Sequence, residues 1–245
     1  MARVVEWLSL ANRILVFAQR LLDTAEVPVT PQGARDARVI ALALVARTIS
    51  NLKGALGMIE AGQIIEARAL ARCCWENLFW AAALTKKGDE FVRQVVSDDA
   101  FSRVKRGKRL MNWSNEQETP RDFEAKLETF LDGYAAENPD RAGIQHAAAA
   151  EAGGVKGGYI IYGELSTDAA HPSALSLSRH VSLEGEQFTL HAVVPPEPDE
   201  IEQTLEFGCS AILGVTTAAN QMLGSPIKLN EVFDAFIALS NKSKK

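Results

Sequence analysis

The sequence predicts an all-α, multi-helix bundle of about seven to nine helices, with one short β-hairpin inserted near residues 181–193. Three observations carry this. Apolar residues recur at helical spacing through nearly the whole chain, so long segments each present a stripe that must be buried. The prolines fall between those segments or at their first turns, where a missing N–H does no harm. Period-two alternation occurs in one place, Val181–Ser182 and Gln187–Val193 around the turn Glu184-Gly185, which reads as a hairpin. At 245 residues with 47% apolar and 23% charged side chains, the chain is large enough to bury a substantial core. With no repeat and no long linker, a single helical domain over residues 1–245 is expected. Within it, 181–198 forms the hairpin and a proline-rich connection, and 241–245 a frayed tail.

The elements follow in order. Val4, Leu8, Ala11, Leu15, Ala18 and Leu22 make Arg3–Leu22 an amphipathic first helix docked by one face. Pro28 and Pro31 break the chain. Thr30-Pro31 then has the form of an N-cap and first-turn pair, opening a helix that runs to about Glu60, with Gly62 beyond its end. The next segment, Gln63–Lys86, is apolar on nearly every side, as expected of a helix in the middle of a bundle. It should pair with its predecessor as an antiparallel hairpin.

Gly88 ends that helix, and Asp89–Asn115 forms a more polar one. Thr119-Pro120 opens the next, with Phe123, Leu127, Phe130 and Leu131 on its inner stripe and Asp132-Gly133 and Asn138-Pro139 loosening its end. A short helix over Arg141–Ala150 leads into the turn AGGVKGG, which lacks the residue order of a phosphate-binding loop. Tyr159–Ala170 is helical until Pro172 stops it. Two final helices follow, Asp199–Leu223 and Pro226–Ser240, the second capped by Ser225. The apolar faces of the first and last helices either complete the core or form a dimer contact.

A net charge of -5 argues against a generally basic nucleic-acid coat. Cys73, Cys74 and Cys209 are odd in number and two are adjacent, so a reducing compartment is expected rather than a disulfide framework. Arg3, Glu6, Arg13 and Arg20 interrupt the N-terminal apolar stretch, and runs such as Ala41–Ala46 fall short of the ~20 residues that span a bilayer. The expected location is cytoplasmic, with no membrane partner.

Four constellations could carry chemistry. The first is Arg72 and Glu76 on the interior helix, at the i,i+4 spacing that lets guanidinium and carboxylate meet. Ionisable groups on such a helix are costly unless paired, so they are either a structural ion pair or a fork aimed at an anion. Arg68 shares their sector, and Trp75 and Trp80 flank them. The second is YIIYGELSTDAAHPS, where Tyr162, Ser166 and His171 gather two hydroxyls and an imidazole at a helix end, with Glu164 and Asp168 as neighbouring carboxylates.

The third is Arg141-Ala-Gly-Ile-Gln-His146, which matches the loose R-x4-6-H signature of helical HEPN-type ribonucleases. The fourth is the run Arg103, Lys105, Arg106, Lys108 and Arg109, either a solvated helix face or a sequence-independent nucleic-acid contact. Ser166 lacks the G-x-S-x-G elbow of a hydrolase. His146, His171, His180 and His191 lack metal-binding spacing, so no metal and no cofactor are expected.

The chain resembles a bacterial family of helical proteins of unknown function. That family has an Arg-x-x-x-Glu helix followed by a Tyr-x-x-Leu-Ser-x-x-x-x-His-Pro segment. Here these are Arg72, Glu76, Tyr162, Leu165, Ser166, His171 and Pro172, and the resemblance covers roughly 34–180. It implies a helical bundle and a looser relation to the HEPN-like superfamily, whose members occur in toxin–antitoxin and anti-phage systems.

The expectation that follows is spatial. Helix Gln63–Lys86 packs on helix Tyr159–Ala170, so that Tyr162, Ser166 and His171 meet Arg72 and Glu76 and each satisfies the other. Two functions stand open. One is a binding or interaction module, through a homodimer or a protein partner. The other is a metal-independent ribonuclease or nucleotide-acting enzyme using His171, or Arg141 with His146.

Overall fold

The computed structural model of the chain describes residues 2–115, 121–170 and 172–242, which form ten α-helices and one two-stranded antiparallel sheet. Helix α1 (Ala2–Thr24) buries the stripe containing Val4, Trp7, Leu10, Ile14 and Leu21. A 3-10 turn at Gly33–Arg35 precedes α2 (Ala37–Glu60), and α3 (Ile64–Lys87) follows almost at once. Next come α4 (Asp89–Asn115), α5 (Arg121–Glu137), α6 (His146–Ala152) and α7 (Gly158–Leu165), which runs into a π-helical turn at Ser166–Ala170. Helix α8 (Ala174–Ser178) leads to strands β1 (Val181–Glu184) and β2 (Gln187–Leu190), registered with Val181 opposite Leu190 and Glu184 opposite Gln187. Long α9 (Pro198–Met222) and α10 (Asn230–Lys242) complete the described chain.

The interior helix of the sequence is the interior helix of the fold. Helix α3 packs on α2 and α9, and its remaining sides meet α4, α6, α7 and the π turn. Ala67, Ala71, Cys74, Phe79, Ala81 and Leu84 are sealed from solvent along it. Small residues let its neighbours approach closely. A Cβ at Gly158 would sit 2.3 Å from Trp75 Cζ3, and one at Gly153 would sit 2.8 Å from the backbone nitrogen of Ala83. Helix α10 closes the core beside α1, with Val232 and Leu239 buried and Phe236 edge-on to Trp7 at 5.7 Å. The first and last helices thus complete the core together.

Several local expectations are corrected, each for an identifiable reason. The second helix does not start at Thr30-Pro31. Asp36 caps it, accepting from Arg38 N at 2.9 Å, and the Thr30 hydroxyl donates to Asp36 Oδ2 instead. The hydrogen bonds from Arg38 hold the Asp36 carboxyl well below the usual carboxylate range. Ser225 does not cap the last helix. It adopts φ 62° and donates its N–H to Asn220 O, closing α9, while the Asn220 side chain bonds both polar backbone groups of Ile227. Helix α5 passes Asp132-Gly133 and ends at Glu137, directly before Asn138-Pro139, and α6 begins at His146 rather than Arg141.

On α5 the expected inner stripe splits. Leu131 is buried, but Phe130 is 61% and Phe123 43% exposed, because α4 is the one element packed closely against α5 and a single neighbour covers only a narrow stripe. The tenth helix, α8, was not expected; the reciprocal capping box between Ser173 and Ser176 starts it directly after Pro172. Asn241 and Lys242 belong to α10 rather than to a frayed tail, and residues 243–245 lie outside the described residues, as does Thr119-Pro120. Finally, α2 is long and apolar enough, by length and composition, to cross a membrane, which no single apolar run suggested. Here Ala41, Val45, Leu52 and Ala55 pack it into the bundle against α1, α3 and α9.

Candidate polar centre on the interior helix

Arg68, Arg72 and Glu76 stand one helical turn apart on α3, on the side that α6, α7 and the π turn cover. Arg72 Nη1 lies 2.9 Å from Glu76 Oε1, and each side chain retains about a fifth of its exposure. Tyr162, from the middle of α7, bridges the pair. Its phenol oxygen accepts from Arg72 Nη1 at 3.0 Å, and its O–H donates to Glu76 Oε1 at 3.3 Å. The Arg72 guanidinium also stands 5.4 Å from the centre of the Tyr162 ring. The three groups, each costly on an apolar face, are partnered with one another, although Arg72 Nε is buried without a hydrogen-bond partner.

Tyr162 is the hub of the arrangement. Its ring meets Phe79 edge-on at 5.8 Å, stacks with Tyr159 at 5.4 Å, and lies 5.3 Å from the His146 imidazole. Burial and the neighbouring Glu76 carboxylate both disfavour the phenolate, so the Tyr162 pKa is raised. Ser166, one turn later, has a buried Oγ without a hydrogen-bond partner of good geometry, although it lies near enough to the phenol to influence its ionisation. Cys73, beside Arg72, is also pushed up, chiefly by burial and then by Glu76, so it is a poor thiolate.

The fourth member is His146, at the start of α6, whose Nε2 lies 3.5 Å from Glu76 Oε1. Its paired motif residue is elsewhere: Arg141 Nη1 donates to the carbonyls of Ala135 and Asn138, closing the end of α5. The Arg141–His146 motif therefore divides. Its histidine joins the centre, and its arginine serves as a helix cap. His171, proposed as the second segment's imidazole, lies outside the described residues, as does the side chain of Asp168.

Arg68 has its own network. Only 3% exposed, it donates through Nη1 to Gln203 and Thr204 of α9 and through Nη2 to Glu164 of α7, while Nε lies 4.0 Å from Glu200. Glu200 also pairs with Arg179, just past α8, at 2.6 Å. Glu164 thus bonds Arg68. Arg68 and Glu200 together tie α3, α7, α9 and the approach to the hairpin.

The tryptophans also part. Trp75 contacts Phe79 at 6.1 Å, whereas Trp80 turns to Phe91 of α4 and so does not flank the centre. His180 and His191 meet at the hairpin base, where His180 Nδ1 is 2.8 Å from His191 O. On α4, Arg103 pairs with Asp99 at 2.7 Å, and Lys105, Arg106, Lys108 and Arg109 are exposed.

Sequence reasoning missed His146 as a member of this centre, because it was paired with Arg141 by spacing alone. The signal that could have placed it is the alanine run His146–Ala150, whose small side chains let α6 seat closely on α3.

A family model described as a family of unknown function (DUF5677) matches residues 38–188, more than half of the chain. The matched span contains Arg72, Glu76, His146 and Tyr162. No curated protein and no solved structure matches the chain.

Proposed function

The chain belongs to DUF5677, a family of unknown function, and from that premise we propose that it is a cytoplasmic helical binding module, folded as one domain, that works through the α4–α5 arm. The arm carries this reading. Helix α5 is packed closely only on α4, and between them they leave Leu110, Trp113, Phe123 and Phe130 between 41% and 61% exposed. Large exposed aromatics on one helix pair are characteristic of interaction surfaces rather than of solvated helices. The polar centre then holds α6 and α7 on α3, since Tyr162 of α7 bonds both Arg72 and Glu76 and His146 of α6 lies beside Glu76.

The test is a comparison of two variant sets by affinity capture from cells of the source organism, with thermal melts alongside. Phe123→Ser with Phe130→Ser should abolish capture of specific partners, or self-association, at nearly unchanged Tm. Tyr162→Phe should lower Tm and leave capture intact. Capture that survives the arm substitutions refutes the reading. The relation to HEPN-like proteins and service in a defence, toxin–antitoxin or stress system are part of the same proposal. A neighbouring toxin, antitoxin or nuclease gene supports them, and housekeeping neighbours across diverse genomes count against them.

A second reading has one specific observation behind it. His146, Glu76, Arg72 and Tyr162 form a half-buried cluster containing an imidazole, a carboxylate, a guanidinium and a phenol. These are the groups a metal-independent ribonuclease or nucleotide-acting enzyme would use as acid–base and anion stabiliser. Incubation of RNA and nucleotides with wild type and His146→Ala in EDTA tests it. Cleavage lost in a variant that melts normally supports it, and absence of cleavage by wild type refutes it.

A further inference from the structure

We propose that the outward face of α4, from Lys105 to Trp113, binds single-stranded nucleic acid, with the cations on phosphates and Trp113 stacked on a base. The inference rests on the arm being the working surface and names its ligand. Helical geometry defines the face. Ala100 and Val104 are buried, and Gly107 lies so close to α5 that a Cβ there would be 2.3 Å from Leu131 Cδ2. These residues mark the inward side. Half a turn away, Lys105, Arg109 and Trp113 follow at i, i+4 and i+8 in one row, with Arg106 beside them, and all four are exposed.

The charge pattern is not that of an ordinary solvated helix, which laces its cations with carboxylates at i,i+3 and i,i+4. Arg103 follows that pattern with Asp99, but among the described residues Lys105, Arg106, Lys108 and Arg109 have no carboxylate partner. Four cations within five residues with no carboxylate partner among the described residues, in a chain of net charge -5, form a local positive field that attracts a polyanion. Lys105 Nζ also lies 5.7 Å from the Phe101 ring, which extends the row by a second aromatic.

The position of the tryptophan selects the ligand. A helix that lies on a lipid surface needs an apolar face opposite its cations, and on α4 that opposite face is occupied by α5. Trp113, 58% exposed, stands instead in the row of cations. Alternating cations and an aromatic plane is the arrangement that single strands use, because phosphates and unstacked bases are both available.

Fluorescence anisotropy with the full chain and a labelled single-stranded RNA of mixed sequence tests this. Single-stranded DNA, a duplex of equal length and anionic phosphatidylserine vesicles are the comparison ligands. Wild type should bind the single strands more tightly than the duplex, with an affinity that falls as salt rises. Lys105→Gln and Arg109→Gln should each lower the slope of log affinity on log salt by about 0.7. Trp113→Ala should weaken binding by about 10- to 100-fold, and Arg103→Gln should leave it unchanged, with unaltered melts throughout.

No binding at ~100 µM protein in low salt overturns the inference. Preference for the duplex or for vesicles overturns it as well. Either result leaves the arm open as a protein-binding surface, whereas single-strand binding untouched by every arm substitution also refutes the placement of the working surface on the arm.

Discussion

Replacing Tyr162 by Phe isolates the polar centre with the least disturbance. The substitution removes one oxygen and leaves the ring contacts with Phe79, Tyr159 and His146 in place. Two hydrogen bonds to charged groups are lost, the 3.0 Å bond from Arg72 and the 3.3 Å bond to Glu76. Such bonds are worth roughly 1.5–3 kcal/mol each when well made and buried. Here one is long, and both charged partners keep about a fifth of their exposure. Arg72 and Glu76 also retain each other at 2.9 Å, so no buried charge is stranded.

The expected loss is therefore about 1–2 kcal/mol in total, or a fall in Tm of about 2–8 °C for a chain of this size. Equilibrium urea unfolding measures it at constant m-value. The cycle with Arg72→Met should show a coupling of about 0.5–1.5 kcal/mol between the two residues. A loss below ~0.5 kcal/mol with no coupling would refute the view that mutual satisfaction holds these segments together.

The raised pKa of Tyr162 predicts a late step in tyrosinate absorbance that Tyr162→Phe removes. Above the ordinary tyrosine pKa near ~10 the unfolded chain loses this proton before the folded one. Stability should therefore fall with rising pH there, and less so in Tyr162→Phe. Arg68→Met should cost more than Arg72→Met, about 2–4 kcal/mol, since it breaks bonds to Gln203, Thr204 and Glu164 although Glu200 keeps Arg179. Equal losses in urea would contradict that ranking. Gly57→Ala, in open space on α2, should stabilise by about 0.5–1 kcal/mol, while Gly153→Ala, pressed against the α3 backbone, should cost about 1–3 kcal/mol; parallel melts check both signs.

The candidate centre was half legible. Arg72 and Glu76 were legible because i,i+4 spacing on one helix is a local relation, and Tyr162 because it is a polar group on an apolar face. The pairing of α3 with α7 followed from the cost of leaving both unsatisfied. His146 was not legible in this role. Spacing linked it to Arg141, but the chain turns between them, and Arg141 is drawn to the open carbonyls at the end of α5. Nor was the Arg68 network legible, because its partners Gln203, Thr204 and Glu200 come from a helix more than 130 residues away.

What the sequence by itself determined is what short-range periodicity encodes: an all-α bundle, one hairpin, and an interior helix recognisable because it is apolar on nearly every side. Tertiary structure alone decided which surfaces stay open. Phe123 and Phe130 lie on the same apolar flank as residues that point inward. They remain exposed because one neighbour, α4, covers α5, and a stripe is buried only as widely as its neighbours reach.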